Sequence, residues 1–380
     1  MRLTVFTDYR YTRIGGEVWT ERAFVLFLNE LAEHHELTVV GREGTEDRVS
    51  ARYRLAAGVD FRGLPYYESL ANPGTALRTV PGAVREFNRA TVDADLAWIL
   101  GPNPIALAFV LAARMRVLDV ALGVRSDLPA LVGSRYPGRP AFRAAAGGME
   151  AVWRLMARTL PCVVVGPDLA QSYRASRRLH ELTVSLMRER DITSGPAAAS
   201  ESGREILSVG RLEAEKDPLM LAEVLAHLRK RGERWTLRVC GEGPERGALE
   251  QRVREYGLGD AVHFEGYVEH GDRLVHHYRH ADALVVPSRS EGVPQTIIEA
   301  LALGLPVVCS DVGGTRATFG ESVALVPPGD AGAIAECLSR LERDPAARQQ
   351  MADEGRGIVG RHTMEAEATR LGEFLRAAAA

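Results

Sequence analysis

The sequence predicts an α/β protein of two doubly wound domains, each a parallel sheet with helices on both faces. Three observations lead there. The chain has 380 residues, more than a single hydrophobic core usually supports, so two domains of ordinary size are expected. Between Ile206 and Val326, short β-branched runs alternate with longer amphipathic ones, as strands joined by crossover helices do. Residues 193–203 read TSGPAAASESG, a small-residue and proline stretch without periodicity, suited to a linker. The expected division is a first domain over 1–192, a linker over 193–203 and a second domain over 204–362. The last stretch, 363–380, is expected to be helical and to pack back on the first domain.

Taken in order, Leu3–Phe6 reads as a strand, Gly15-Gly16 as a turn, Glu17–Glu33 as a helix and Leu37–Val40 as a second strand. Leu96–Ala113 carries no charge and is about the length of a membrane span, but Gly101-Pro102-Asn103-Pro104 interrupts it. It reads as a buried strand, a loop, and a helix beginning near Pro104. Cys162–Val165 is a further strand. In the second half the strands are Ile206–Val209, Thr236–Cys240, Val262–Phe264, Ala283–Val286, Pro306–Cys309 and Val323–Val326. Leu219–Lys230, Glu245–Tyr256 and Pro294–Leu303 are the helices between them. The last has marked ends, with Pro294 at its start and Gly304 after it as a left-handed cap.

Composition narrows the function classes. Charged residues make up 26% of the chain, hydrophobic ones 46%, and the net charge is -3, which fits neither a disordered chain nor a strongly basic nucleic-acid binder. Of the 47 basic residues only Lys216 and Lys230 are lysine. Cys162, Cys240, Cys309 and Cys337 stand far apart without CxxC spacing, so no disulfide framework or zinc site is expected. The first ten residues lack the apolar run of a secretory signal, and a cytoplasmic protein is expected.

Doubly wound sheets bind ligands at the carboxyl ends of their strands, so the loops there are the places to look for chemistry. The loop SVGRLEAEKDP contains Gly210 at a tight strand exit and carries Arg211 and Lys216, a guanidinium fork and an ammonium able to hold a diphosphate without a metal. The plain alternative for Lys216 is a solvated loop cation. Further on, PSRSEGVPQTIIEALALGLPVV places Glu291 before a helix and Glu299 within it. Amides of Val293 to Ile297, that of Thr296 among them, fall at the helix start, where unpaired N–H groups and the macrodipole favour an anion. Glu299 lies deeper and suits a vicinal diol such as a ribose, which can donate to both carboxylate oxygens.

These segments, with VCGEGPE, VHFEGYV and ADALVVPS, resemble the retaining glycosyltransferases of family four, including an E-x7-E spacing. The resemblance covers about a third of the chain and thins in the first half to Gly15-Gly16-Glu17. It implies a GT-B fold, two such domains facing across a cleft. It implies a nucleoside-diphosphate sugar donor, with uridine favoured over guanosine as base, and a hydroxyl acceptor that is a small molecule, glycan or lipid. On that resemblance Arg211 and Lys216 hold the donor diphosphate, Glu291 faces the transferred sugar beside Gly292 and Val293, and Glu299 takes the ribose. Gly15 and Gly16 present amides to the diphosphate, and the loop at Val268 lies near the base. No metal and no other cofactor is implied.

The first domain departs from the pattern. Relatives place a histidine near the acceptor, and none occurs here between His35 and His180. Asp127, flanked by Arg125 in GVRSDLP, is the candidate substitute, although a loop aspartate is ordinarily a cap or turn former. From Gly101 to His180 eleven arginines face four carboxylates, which suits an anionic acceptor or peripheral membrane contact, or else a solvated arginine-rich face. Two other functions compete: a nucleotide-sugar epimerase of the same architecture, which the E-x7-E context disfavours, and a catalytically silent nucleotide-sugar-binding partner subunit.

Overall fold

The computed structural model describes residues 1–45, 51–67, 73–136, 138–193 and 204–379, with side chains for all of these except 73–77 and 134–135. By backbone contacts the chain divides into two units, 1–184 with 364–380, and 185–363. Of the expected linker, 194–203 lies outside the described residues. Residues 185–192 belong with the second unit, earlier than the expected division, because Met187 and Ile192 pack in its core.

The first unit contains β1 (Arg2–Ile14), β2 (Glu17–Thr20), α1 (Phe24–Ala32), β3 (Glu36–Glu43), β4 (Tyr53–Arg54), β5 (Asp60–Leu64), α2 (Pro73–Ala90), β6 (Leu96–Gly101) and α3 (Pro104–Met115). It continues through β7 (Asp119–Val124), α4 (Leu128–Arg135), α5 (Pro140–Ala157), β8 (Cys162–Val165), α6 (Pro167–Ser172) and β9 (Leu179–Leu182). The second unit runs β10 (Glu205–Val209), α7 (Leu219–Lys230), β11 (Thr236–Cys240), α8 (Arg246–Glu255), β12 (Val262–Gly266), α9 (Asp272–His280), β13 (Ala283–Val286) and α10 (Gln295–Ala302). It closes with β14 (Val307–Ser310), α11 (Thr315–Phe319), β15 (Ala324–Val326), α12 (Ala331–Arg343) and α13 (Pro345–Val359) before α14 (Met364–Ala378), which belongs to the first unit.

In the first unit seven strands run parallel in the order β5-β3-β1-β6-β7-β8-β9. The sheet is mixed, because β2 pairs antiparallel with the far end of β1, and β4 with β2. The expected helix over Glu17–Glu33 is therefore shorter and begins only at Phe24. Glu17-Val-Trp-Thr is β-prone, and Gly15 and Gly16, at φ 58° and 86°, supply the paired left-handed residues of a two-residue hairpin turn. One face of the sheet is covered by α1 and α14, which buries Met364, Ala368, Leu371 and Leu375 at helical spacing. Phe87, Phe109 and Trp153 of α2, α3 and α5 anchor the other face.

The second sheet is all parallel, in the order β12-β11-β10-β13-β14-β15. Its inner strands β13 and β14 are buried along their whole length between helices on both sides, which is why they read as continuous apolar runs; β11 and β12, toward one edge, carry the half-buried Arg238 and the exposed His263. α10 starts after Pro294 and ends before Gly304, whose φ is 69°.

Candidate functional site

The strand order of the second unit reverses between β10 and β13, and a doubly wound sheet opens a crevice outside the carboxyl ends of its strands at such a switch point. The loops after these two strands carry Lys216 and Glu291, so topology alone places the sequence candidates at the ligand edge.

Local sequence holds the first loop in place. Beyond the strand ends, backbone pairing continues from Gly210 N to Cys240 O at 3.0 Å and from Leu212 N to Glu242 O at 2.9 Å, and Glu245 N returns to Leu212 O at 2.9 Å. The two loops lie so close that a Cβ on Gly241 would overlap the Gly210 carbonyl oxygen, and one on Gly243 the Leu212 carbonyl oxygen. The chain then makes a 3₁₀ turn over Ala214–Lys216 and leaves it through Asp217 at φ 47°. Arg289 clamps the loops together: its amide donates to Glu215 O at 2.8 Å and its Nε to Asp217 Oδ2 at 2.8 Å.

This clamp sets Lys216 Nζ 2.7 Å from both oxygens of Glu291, while Ser288 Oγ donates to Glu291 Oε1 at 2.5 Å. The carboxylate side chain is 8% exposed and that of the lysine 28%, so this charge-assisted pair is only partly screened by water. An ammonium has three protons. Two lie on Glu291, and the third can meet an anion. Ser288, Asp217 and Arg289 were not among the sequence candidates, although Ser288 and Arg289 stand in the PSRSEG run that carries Glu291.

The other predicted residues of this unit are placed differently. Arg211 turns its guanidinium onto Glu213 and, at 3.1 Å, Glu215 of its own loop, with a side chain 59% exposed. Glu299 is buried in α10, where its Oε2 accepts from Tyr278 Oη at 2.7 Å and its Oε1 lies 3.3 Å from His270 Nδ1. Burial alone lowers the His270 pKa, but hydrogen bonding to Glu299, the charges of Glu299 and Asp191 and a backbone bond at Leu186 together raise it. Burial, then Glu299, drives the Tyr278 hydroxyl well above its usual value. Gly292 is exposed with open space beside it, and Val293 and Thr296 are half-buried at the entry to α10. The Val268 side chain is buried in the apolar core with Leu274 and Tyr278. Among the described residues no group of three or more His, Cys, Asp or Glu is arranged to hold a metal ion.

In the first unit Gly15 and Gly16 form the hairpin turn. Asp127 accepts from Ala130 N at 2.7 Å and so caps α4. Arg125, just past β7, is half-buried with its guanidinium 4.1 Å from the Phe24 ring centroid, and desolvation lowers its pKa to about 10. A constellation the sequence reading missed lies at the irregularity in the middle of β1 and the carboxyl ends of β3 and β5. Arg42 Nε is 3.2 Å from Asp8 Oδ1, its terminal nitrogens donate to Asp8 O at 2.7 Å and Tyr67 O at 2.8 Å, and Tyr67 Oη donates to the Asp8 carboxylate. Burial raises the Asp8 pKa against the opposing effects of Arg42 and Tyr67. The register irregularity of β1 between Phe6 and Arg10 falls here, and such bulges re-aim side chains. The one signal available in the sequence was an aspartate just past the first apolar run.

Residues 190–357 match the family model described as Glycosyl transferases group 1. That stretch contains Lys216, Glu291 and Glu299. Among curated relatives, D-inositol 3-phosphate glycosyltransferase of Frankia alni is 37% identical over 171 residues, covering 42% of this chain and 41% of that protein. Alpha-D-kanosaminyltransferase of Streptomyces kanamyceticus is 32% identical over 150 residues, covering 39% of each. The chain thus spans about two fifths of the length of these relatives. Likeness to solved structures runs along the whole chain: sucrose-phosphate synthase of Thermosynechococcus elongatus superposes with a TM-score of 0.74 at 21% identity, covering 99% of this chain and 98% of that one. Anabaena Alr3699/HepE, solved in complex with UDP and glucose, gives 0.70 at 14% identity and 99% coverage of each. The fold of this chain is GT-B, with one mixed and one parallel sheet.

Proposed function

We propose that the protein is a retaining glycosyltransferase that moves a sugar from a nucleoside-diphosphate sugar, uridine first and guanosine next as base, to the hydroxyl of a small-molecule, glycan or lipid acceptor. The observation that carries this reading is the partly buried Lys216–Glu291 pair at the switch point of the second sheet. Lys216 turns its third proton to the donor diphosphate, and Arg211 leaves Glu213 and Glu215 to join it. Together they stabilise the charge that develops as the nucleoside diphosphate departs. Glu291, fixed by Lys216 and Ser288, orients the sugar hydroxyls. Glu299, held from behind by Tyr278 and His270, accepts from the ribose.

Transfer breaks the bond from the anomeric carbon to the phosphate oxygen and forms one to the acceptor oxygen on the same face. The acceptor proton passes to the departing phosphate oxygen. No enzyme carboxylate attacks carbon, so Glu291 contributes orientation and charge rather than the nucleophile of a two-carboxylate glycosidase. Support for sugar transfer comes from the group 1 match over 190–357. The test is to incubate the purified chain with a panel of nucleoside-diphosphate sugars and follow release of nucleoside diphosphate, with and without acceptor hydroxyls. Release that depends on Lys216 is the expected result. Isomerised donor without release would establish the epimerase instead, donor binding without turnover the silent subunit, and a trapped glycosyl-enzyme would overturn the front-face mechanism.

A further inference from the structure

Among the described residues ten large apolar side chains are exposed, and eight of them lie between residues 92 and 155. Five share one location. α2, α3 and α5 each run antiparallel to the strand that follows, so their C-terminal ends meet at the amino edge of β6, β7 and β8, adjacent strands of the first sheet. There stand Val92 (65% exposed), Leu111 (57%), Met115 (86%), Val117 (88%) and Leu155 (61%). Arg116 ties the ends of α2 and α3 together by donating to Asn88 O at 2.9 Å and Thr91 Oγ1 at 2.8 Å.

Val117 is the informative residue. α3 ends in paired bonds from Val117 N to Arg114 O at 3.1 Å and from Leu118 N to Ala113 O at 3.0 Å, the Schellman arrangement. Its left-handed position usually holds glycine. Here that position, at φ 59°, holds a β-branched residue, an unfavourable pairing of side chain and backbone. Nothing in the fold compensates, since the side chain is almost wholly in water. The fold alone would be better served by glycine.

We propose that this apolar tip, led by Met115 and Val117, seats on an anionic lipid surface. The exposed guanidiniums of Arg89, Arg114, Arg154 and Arg158 occupy the same helix ends, Arg89 and Arg154 paired within their helices to Glu86 and Glu150, against exposed carboxylates at Asp93, Asp119 and Asp95, the last paired with Arg2. Apolar side chains interleaved with cations match the boundary between acyl chains and anionic headgroups. A second copy of the chain is the poorer occupant: a two-fold contact would oppose the same arginines to themselves. The expected contact of the arginine-rich tract with a membrane thus narrows to one edge, and no helix among the described residues is long and apolar enough to cross a bilayer.

The test is flotation of the full chain with vesicles of phosphatidylcholine, with and without phosphatidylglycerol. Binding only to the anionic vesicles is expected, weakened by salt. Met115→Ser with Val117→Ser should weaken it roughly tenfold or more. Val117→Gly should raise the melting temperature, because glycine suits the left-handed position, and still weaken vesicle binding; a folding defect cannot produce that pair of results. No flotation, flotation indifferent to Met115 and Val117, or a dimer in solution that Val117→Gly dissolves would each overturn the proposal. None of these outcomes bears on donor binding, which is measured separately.

Discussion

Replacing Glu291 by glutamine should tighten the binding of nucleoside diphosphate while slowing transfer. Lys216 Nζ lies 2.7 Å from both Glu291 oxygens, and a phosphate oxygen bound to its remaining proton would sit at a similar distance on the other side. The carboxylate and the phosphate are then about 5 Å apart, and at an effective dielectric of about 20 two unit charges repel by about 3 kcal/mol. Salt and the open side of the site reduce this to about 1–2 kcal/mol, or roughly 5–30-fold in affinity. Glutamine keeps the shape and can still accept from Ser288 and Lys216, so the fold should be undisturbed. Calorimetric titration of the preferred nucleoside diphosphate into wild type, Glu291→Gln, Lys216→Ala and the double variant measures the coupling directly. Lys216→Ala should weaken binding, and the double variant should recover part of that loss because the carboxylate's repulsion goes with it. Unchanged or weaker binding in a Glu291→Gln protein of wild-type melting temperature would refute the placement of the diphosphate on Lys216.

Further predictions follow from the same geometry. Glu299→Gln should weaken nucleoside diphosphate about tenfold, in line with the ~1.5–3 kcal/mol of hydrogen bonds to a charged group, while leaving inorganic pyrophosphate unaffected; equal losses for both would contradict the ribose assignment. Gly241→Ala drives a methyl into the Gly210 carbonyl and should cost about 2 kcal/mol or more, read as a lower melting temperature; a neutral result would mean the loops are not locked together. His35 is buried beside Gly372 and Arg376 of α14, and burial first, then the charges of Arg376, the N-terminus and His34, lower its pKa from 6.5 to about 4. The unfolded chain therefore binds the proton more readily, so this contribution is complete above about pH 6.5 and about 2–3 kcal/mol is lost as the pH falls to about 4. Urea titrations across that range should show the loss in wild type and not in His35→Gln; parallel curves would remove His35 from the account.

Legibility in the sequence differed sharply between the two halves, for physical reasons. In the second unit β13 and β14 are buried along their whole length, so β-branched runs such as Ala283–Val286 and helices such as Leu219–Lys230 stand out by period and length, and the structure has both with those bounds. Lys216 and Glu291 could be singled out because both lie on loops directly after such strands. What could not be read was that they would pair, since residues 75 apart are joined only through the Arg289 clamp. The first unit hides its site better. β1 runs on past its apolar run into a hairpin whose residues looked helical by composition, and Asp8, Arg42 and Tyr67 meet only because β1, β3 and β5 are neighbours in the sheet. Asp127 shows the reverse: a residue conspicuous in sequence is engaged in capping its own helix.

The proposed function turns on whether the second unit holds a nucleoside diphosphate against Lys216. It is tested most directly by titrating the purified full chain calorimetrically with a panel of nucleoside diphosphates and the matching monophosphates. One diphosphate should bind at one site per chain and its monophosphate much more weakly, and Lys216→Ala should erase the difference. If no diphosphate binds, or if mono- and diphosphates bind alike and Lys216→Ala binds as wild type does, the claim is wrong.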